Sequence, residues 1–153
     1  MNKLSGKHIG ILCGGWSDER PVSLDSGKSA YNSLVNNNLN VFLFDFKDND
    51  INILSKFIAS NNIDLILNLI HGSGGEDGLV QSYLDRLSVK YIGSNSESSK
   101  LSFNKVYTKE IWLRNSLKTP NYLKLSNNIS SKKIEEMFDD KFILKPCESG
   151  SSV

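Results

Sequence analysis

IDLILNLIH, residues 63–71, is a nearly unbroken apolar run that stops at a titratable ring and opens into GSGGEDG, residues 72–78. Continuous apolarity over so short a span marks a strand buried on both faces, the environment of a parallel sheet covered by helices. The neighbouring segments repeat the theme. HIGILCGG (8–15) is a second apolar run ending in glycine, VSLDSGKSAYNSLVNN (22–37) carries apolar residues at helical spacing, and VFLFDF (41–46) returns to strand character. INILSKFIASNN (51–62) predicts a helix, DGLVQSYLDRL (77–87) another, and VKYIG (89–93) a short closing strand. Strands alternating with helices in this way define βαβ units. Residues 1–94 are therefore expected to form one Rossmann-like α/β domain with a parallel sheet covered on both faces.

Beyond residue 94 the character changes. SNSESSKLSFNK (94–105) is polar and serine-rich, a linker into a helix that continues through VYTKEIWLRNSL (106–117). Pro120 pushes Thr119 out of the helical region, so TPNYLKL (119–125) is read as extended. SSKKIEEMF (130–138) predicts a short helix capped by its own serines, and KFILKP (141–146) a strand leading into CESGSSV. Residues 95–153 form a second region.

Composition narrows the partners. Of 153 residues, 39% are hydrophobic and 23% charged, and 18 basic side chains nearly cancel 17 acidic ones. No broad cationic face follows, which argues against nucleic acid and against an anionic membrane surface. The apolar core of MNKLSGKHIGILCGG is too short for a signal segment or a membrane span, so a cytoplasmic location is expected. Cys13 and Cys147 lie far apart without metal-ligand spacing, so neither a disulfide framework nor a zinc site is indicated.

In an open parallel sheet, ligands gather beyond the carboxyl ends of the strands. Three loops qualify. CGGWSDERPVSL follows the first strand; there Asp18, Glu19 and Arg20 put charge at a helix start, where Ser17 or Asp18 can cap the helix and the other charges are solvated, or a carboxylate held there can grip an ammonium group. His71 either hydrogen-bonds a backbone group or, beside Gly72, Gly74 and Gly75, turns its ring toward a cleft to orient a carboxylate or developing oxyanion. Asp77 is expected to cap the following helix and Glu76 to brace the loop. KPCESGSSV offers Lys145 as a point cation, with amides and hydroxyls, for phosphate oxygens. Neither of the first two loops has a P-loop ending or a clean GxGxxG.

Taken in order, ILCGGWSDERPVSLDSG (11–27), HGSGGEDGLVQ (71–81), YIGSNSESSKLSFNKVYTK (91–109), TPNY (119–122) and ILKPCESGSSV (143–153) resemble the D-alanine-D-alanine ligases of the ATP-grasp superfamily. The resemblance implies a pre-ATP-grasp domain over 1–94, followed by the beginning of an ATP-grasp domain over 95–153. It implies ATP-dependent joining of two D-alanines through an acyl phosphate, for peptidoglycan synthesis. By the same match Glu19 holds the first D-alanine's ammonium with support from Ser151, His71 orients that substrate, and Lys105 and Lys145 bind ATP phosphates. Family members continue for about as many residues again, and that part supplies the magnesium ligands. The 153-residue chain is thus expected to be inactive alone. A homodimer through the N-terminal domain is also implied. A D-alanine-D-lactate ligase and a non-catalytic binding or dimerisation module are the alternatives.

Overall fold

The computed structural model describes residues 4–126, 129–138 and 141–149, which form two compact units, one running to Phe103 and the other spanning Asn104–Glu148. In the first unit β1 (His8–Gly14), α1 (Arg20–Asn36), β2 (Asn40–Phe46), α2 (Ile51–Ser60), β3 (Leu65–Asn68), α3 (Leu79–Arg86), β4 (Lys90–Ile92) and α4 (Ser96–Phe103) follow one another. All strand pairs are parallel, in the order β2-β1-β3-β4. The α/β reading of this region holds.

Side-chain alternation along the strands sorts the core into two layers. Leu12, Phe46 and Ile66 cluster with Leu54 of α2 and with Val80 and Leu84 of α3, all at 0% exposure. Each such side chain contributes about 1.5–3 kcal/mol by leaving water. Ile9, Ile11 and Cys13 are buried on the other face of β1, against α1. Gly27 permits that approach, since a Cβ there would stand 2.6 Å from the Cβ of Cys13. Burial pushes the Cys13 thiol pKa up, with Asp45 nearby adding to the effect. Cover on this face is incomplete. Along the row Leu43, Ile11, Leu67, Ile92, Ile11 is fully buried while Leu43 and Ile92 are 42% and 55% exposed. The expected two-sided cover is thus incomplete at both ends of this row, on the face where α1 packs against β1 and β2.

Element ends depart from the sequence reading for local reasons. The third strand stops at Asn68, three residues before His71, because the Asn68 side chain takes over from the ladder: its Oδ1 accepts from Ile70 N at 3.2 Å and its Nδ2 donates to Gly75 O at 2.9 Å. The cap of α1 is Glu19, not Ser17 or Asp18, with Pro21 in the first turn, and Glu19 makes no side-chain capping bond. The cap of α3 is Gly78 (φ +89°), not Asp77. Asp77 still serves that turn, accepting from Leu79 N through Oδ1 at 3.0 Å and from Gly74 N through Oδ2 at 2.8 Å.

The second unit contains α5 (Lys105–Arg114) and α6 (Ser131–Met137). Residues 94–117 therefore hold two helices, α4 and α5, where the sequence reads as a linker and one helix. Asn104 makes the break: its Oδ1 accepts from Val106 N at 3.1 Å and Tyr107 N at 3.0 Å, starting α5 afresh. Ser130 caps α6, as its sequence indicates. The strand expected over 141–146 is absent. Phe142, Ile143 and Leu144 are 59%, 81% and 71% exposed, and no strand among the described residues pairs with them. Apolar sequence alone cannot make a strand without a neighbour to complete the ladder. Among the described residues no helix is long and apolar enough to cross a membrane.

Candidate functional site

β1 and β3 are adjacent, and the chain leaves β1 for α1 on one face and β3 for α3 on the other, the reversal beyond whose carboxyl ends open parallel sheets form a ligand crevice. Short side chains pin its walls. Gly14 N donates to Ser23 Oγ at 2.8 Å, and Ser23 Oγ donates to Leu69 O at 2.6 Å, stapling both strand ends to a fully buried serine. Arg20 donates to Gly15 O at 3.0 Å and to both Asp45 oxygens at 2.8 and 2.6 Å, which ties α1 to the end of β2. That pair pushes the Arg20 pKa further up. Arg20 is thus committed to structure.

Glu19 and His71 meet in this crevice. Ser17 links them: its Oγ accepts from Glu19 N at 3.3 Å and donates to His71 O at 2.8 Å. Gly72 lies against the carboxylate, since a Cβ there would stand 2.6 Å from Glu19 Oε2 and 2.9 Å from Ser17 Oγ. Glu19 is only 5% exposed, and neither carboxylate oxygen has a hydrogen-bond partner among the described residues. A buried carboxylate without donors is costly, and a cation placed against it would offset that cost. The ring of His71 sits between Ser26, whose Oγ lies 3.4 Å from Nε2, and Glu76, whose Oε1 lies 3.7 Å from Nδ1. With its side chain 28% exposed, His71 keeps access to solvent. Glu76 therefore faces the imidazole as well as bordering the loop.

Close packing shapes the glycine loop. Gly74 (φ +92°) lies under the Trp16 ring, which itself packs edge-on to Phe46 at 5.9 Å between centroids. Gly75 O accepts from Asn68 Nδ2 at 2.9 Å and from buried Gln81 Nε2 at 2.7 Å. The loop is held from β3 and α3 at once.

In the second unit the two lysines lie on segments bonded to each other. Lys105, the first residue of α5, donates its backbone N–H to Cys147 O at 3.0 Å, and Cys147 is two residues beyond Lys145. Asn104 Nδ2 donates to Glu148 Oε1 at 2.6 Å, and Cys147 Sγ donates to Asn104 Oδ1 at 3.3 Å. Lys145 is exposed and Lys105 half-buried. Ser151 lies outside the described residues.

No protein-family model matches the chain. Individual proteins do. It is 36% identical over 150 residues to D-alanine-D-alanine ligase B of Xanthomonas campestris pv. campestris, covering 95% of this chain and 46% of that protein. Against the D-alanine-D-alanine ligase of Bordetella pertussis it is 35% identical over 153 residues, all of this chain and 47% of the relative. The crystal structure of the D-alanine-D-alanine ligase from Bacillus anthracis superposes with a TM-score of 0.71 at 27% identity, over 86% of this chain and 43% of that one. The chain is a homologue of the D-alanine-D-alanine ligases. It spans about half the length of the relatives it matches. A second Bacillus anthracis ligase structure, complexed with ATP, matches with the same TM-score of 0.71.

In this ligase homologue several structural partners of the site are silent in the sequence. Ser17 reads only as a possible cap, and nothing in the sequence singles out Ser23 or Ser26, yet all three bond to the chain at or just beyond the end of β3. Asn104 falls in the stretch that reads as a linker, 94–105. Only its type, a good N-cap preceding apolar residues, was available as a signal.

Proposed function

We propose that the chain supplies the first-substrate site and part of the ATP phosphate site of an ATP-dependent D-alanine-D-alanine ligase, whose product is the dipeptide used in peptidoglycan. The observation that carries this reading is the Glu19 carboxylate, 5% exposed and without a hydrogen-bond partner among the described residues, beside His71. An amino acid's ammonium satisfies such a carboxylate, and an imidazole N–H can orient the same molecule's carboxylate. Ser17 fixes the backbone on both sides, so the two groups keep their spacing. Ser151 supports Glu19 in this reading.

For ATP, the chemistry of the donor set fits. Lys105 and Lys145 are cations on segments that the Lys105 N–H to Cys147 O bond holds side by side, which suits phosphate oxygens. When bound, ATP supplies the phosphoryl group that activates the substrate carboxyl. For magnesium, the described residues do not fit, since no three of His, Cys, Asp and Glu gather among them.

Titration of D-alanine into the chain, followed by amide NMR shifts, is expected to perturb Ser17, Glu19 and Gly72, with L-alanine weaker. An equal response to both enantiomers, or none at these amides, rejects the substrate assignment. Self-association through the first unit belongs to the same reading, because exposed Val22 on α1 and Leu43 on the neighbouring β2 leave apolar area there. Sedimentation should show a dimer; a monomer up to high micromolar concentration refutes it.

A further inference from the structure

We infer that Asn104 is a positioning residue, which with Glu148 latches the loop carrying Lys145 onto the helix carrying Lys105; the inference rests on the ATP assignment above. Asn104 is 8% exposed and uses both ends of its amide. Oδ1 takes the two helix-starting N–H groups and the Cys147 thiol, while Nδ2 donates to Glu148 Oε1 at 2.6 Å. That last bond is short and charge-assisted, stronger than a neutral one. The Lys105 N–H to Cys147 O bond, 3.0 Å, closes the same junction from the backbone. One small side chain therefore starts the helix of one lysine and anchors the residue three places after the other.

Capping and latching call for different chemistry at this position. Aspartate caps a helix as well as asparagine does, but it has no N–H to offer Glu148. It would instead set two carboxylates against each other. Asn104→Asp thus keeps the cap and opens the latch, whereas Asn104→Asp combined with Glu148→Gln restores a donor, with its direction reversed, at the wild-type net charge.

The test follows ATP affinity and Lys105 amide exchange in the full chain. Asn104→Asp is expected to weaken ATP binding roughly ten-fold and speed Lys105 exchange with little change in melting temperature. The double variant should recover most of both, and Lys145→Ala should weaken ATP binding with the latch intact. Wild-type ATP affinity in Asn104→Asp, beside a weakened Lys145→Ala, overturns the latch alone. A double variant as weak as Asn104→Asp also overturns it, by leaving added charge as the cause. ATP affinity unaltered by Lys145→Ala overturns the ATP assignment and the positioning role with it, even where exchange shows the latch bond intact.

Discussion

Replacing Glu19 with methionine is expected to raise the stability of the chain and abolish its binding of D-alanine. The two effects have one cause. Glu19 caps α1 without a side-chain capping bond, and both its oxygens are buried without partners among the described residues. An unsatisfied buried polar group costs about 1–3 kcal/mol, and more for a charged one. Against this stands the favourable placement of a carboxylate at a helix N-terminus, about 0.3–1 kcal/mol. The burial cost is larger, so a methionine of similar volume should gain about 1–2 kcal/mol and raise the melting temperature by several degrees. Binding moves the other way. Removing one partner of a buried charge pair costs about 2–5 kcal/mol, or roughly 30-fold to several thousand-fold in affinity. Thermal melts and D-alanine calorimetry on the same preparation check both signs. A variant that melts lower and still binds D-alanine would show Glu19 to be a structural residue, and the ammonium assignment would fall.

The stability gain also explains what could be read from the sequence. The apolar runs at 8–15 and 63–71 announce parallel strands because burial on both faces removes the polar alternation, and the loops after such strands are where chemistry collects. The loops that carry Glu19 and His71 were accessible by that route. What escaped depends on contacts distant in the chain. Ser23 spans 46 residues to Leu69 O, and nothing within its own helix distinguishes it from Ser26 or Ser29. The Asn68 side chain ends β3 early by bonding Gly75, a tertiary event invisible to an apolar count. Residues 141–146 illustrate the opposite error: their apolarity is real, but a strand exists only with a paired neighbour. The helix break at Asn104 is local, made by its bonds to Val106 and Tyr107, whereas the bonds of the same side chain to Cys147 and Glu148 span more than 40 residues and leave no local trace.

Gly75→Ala is expected to unfold the His71 loop and destabilise the chain by about 3–5 kcal/mol. A Cβ at this position would overlap the backbone carbonyl of Ile70, which cannot swing aside as a side-chain tip can. Overpacking of this kind costs about 1–3 kcal/mol when the backbone can yield. Yielding has its own cost here. Gly75 O is the acceptor for both Asn68 Nδ2 and buried Gln81 Nε2, so displacing it strands two amide groups, at about 1 kcal/mol or more each. Gln81 already has a buried Oε1 without a partner among the described residues, which leaves it little scope to find another arrangement. Gly6→Ala is the matched control: Gly6 has φ +79° but nothing within 4 Å of its Cβ position, so only the left-handed backbone penalty applies, about 1–2 kcal/mol. Urea denaturation of the two variants separates clash from backbone preference. Because the 70–75 contact also sets where His71 stands relative to Glu19, Gly75→Ala should lose D-alanine binding even at low urea, while Gly6→Ala keeps it. Equal destabilisation of the two variants would mean that the loop accommodates a side chain, and that the close packing of its glycines does not hold the imidazole in place.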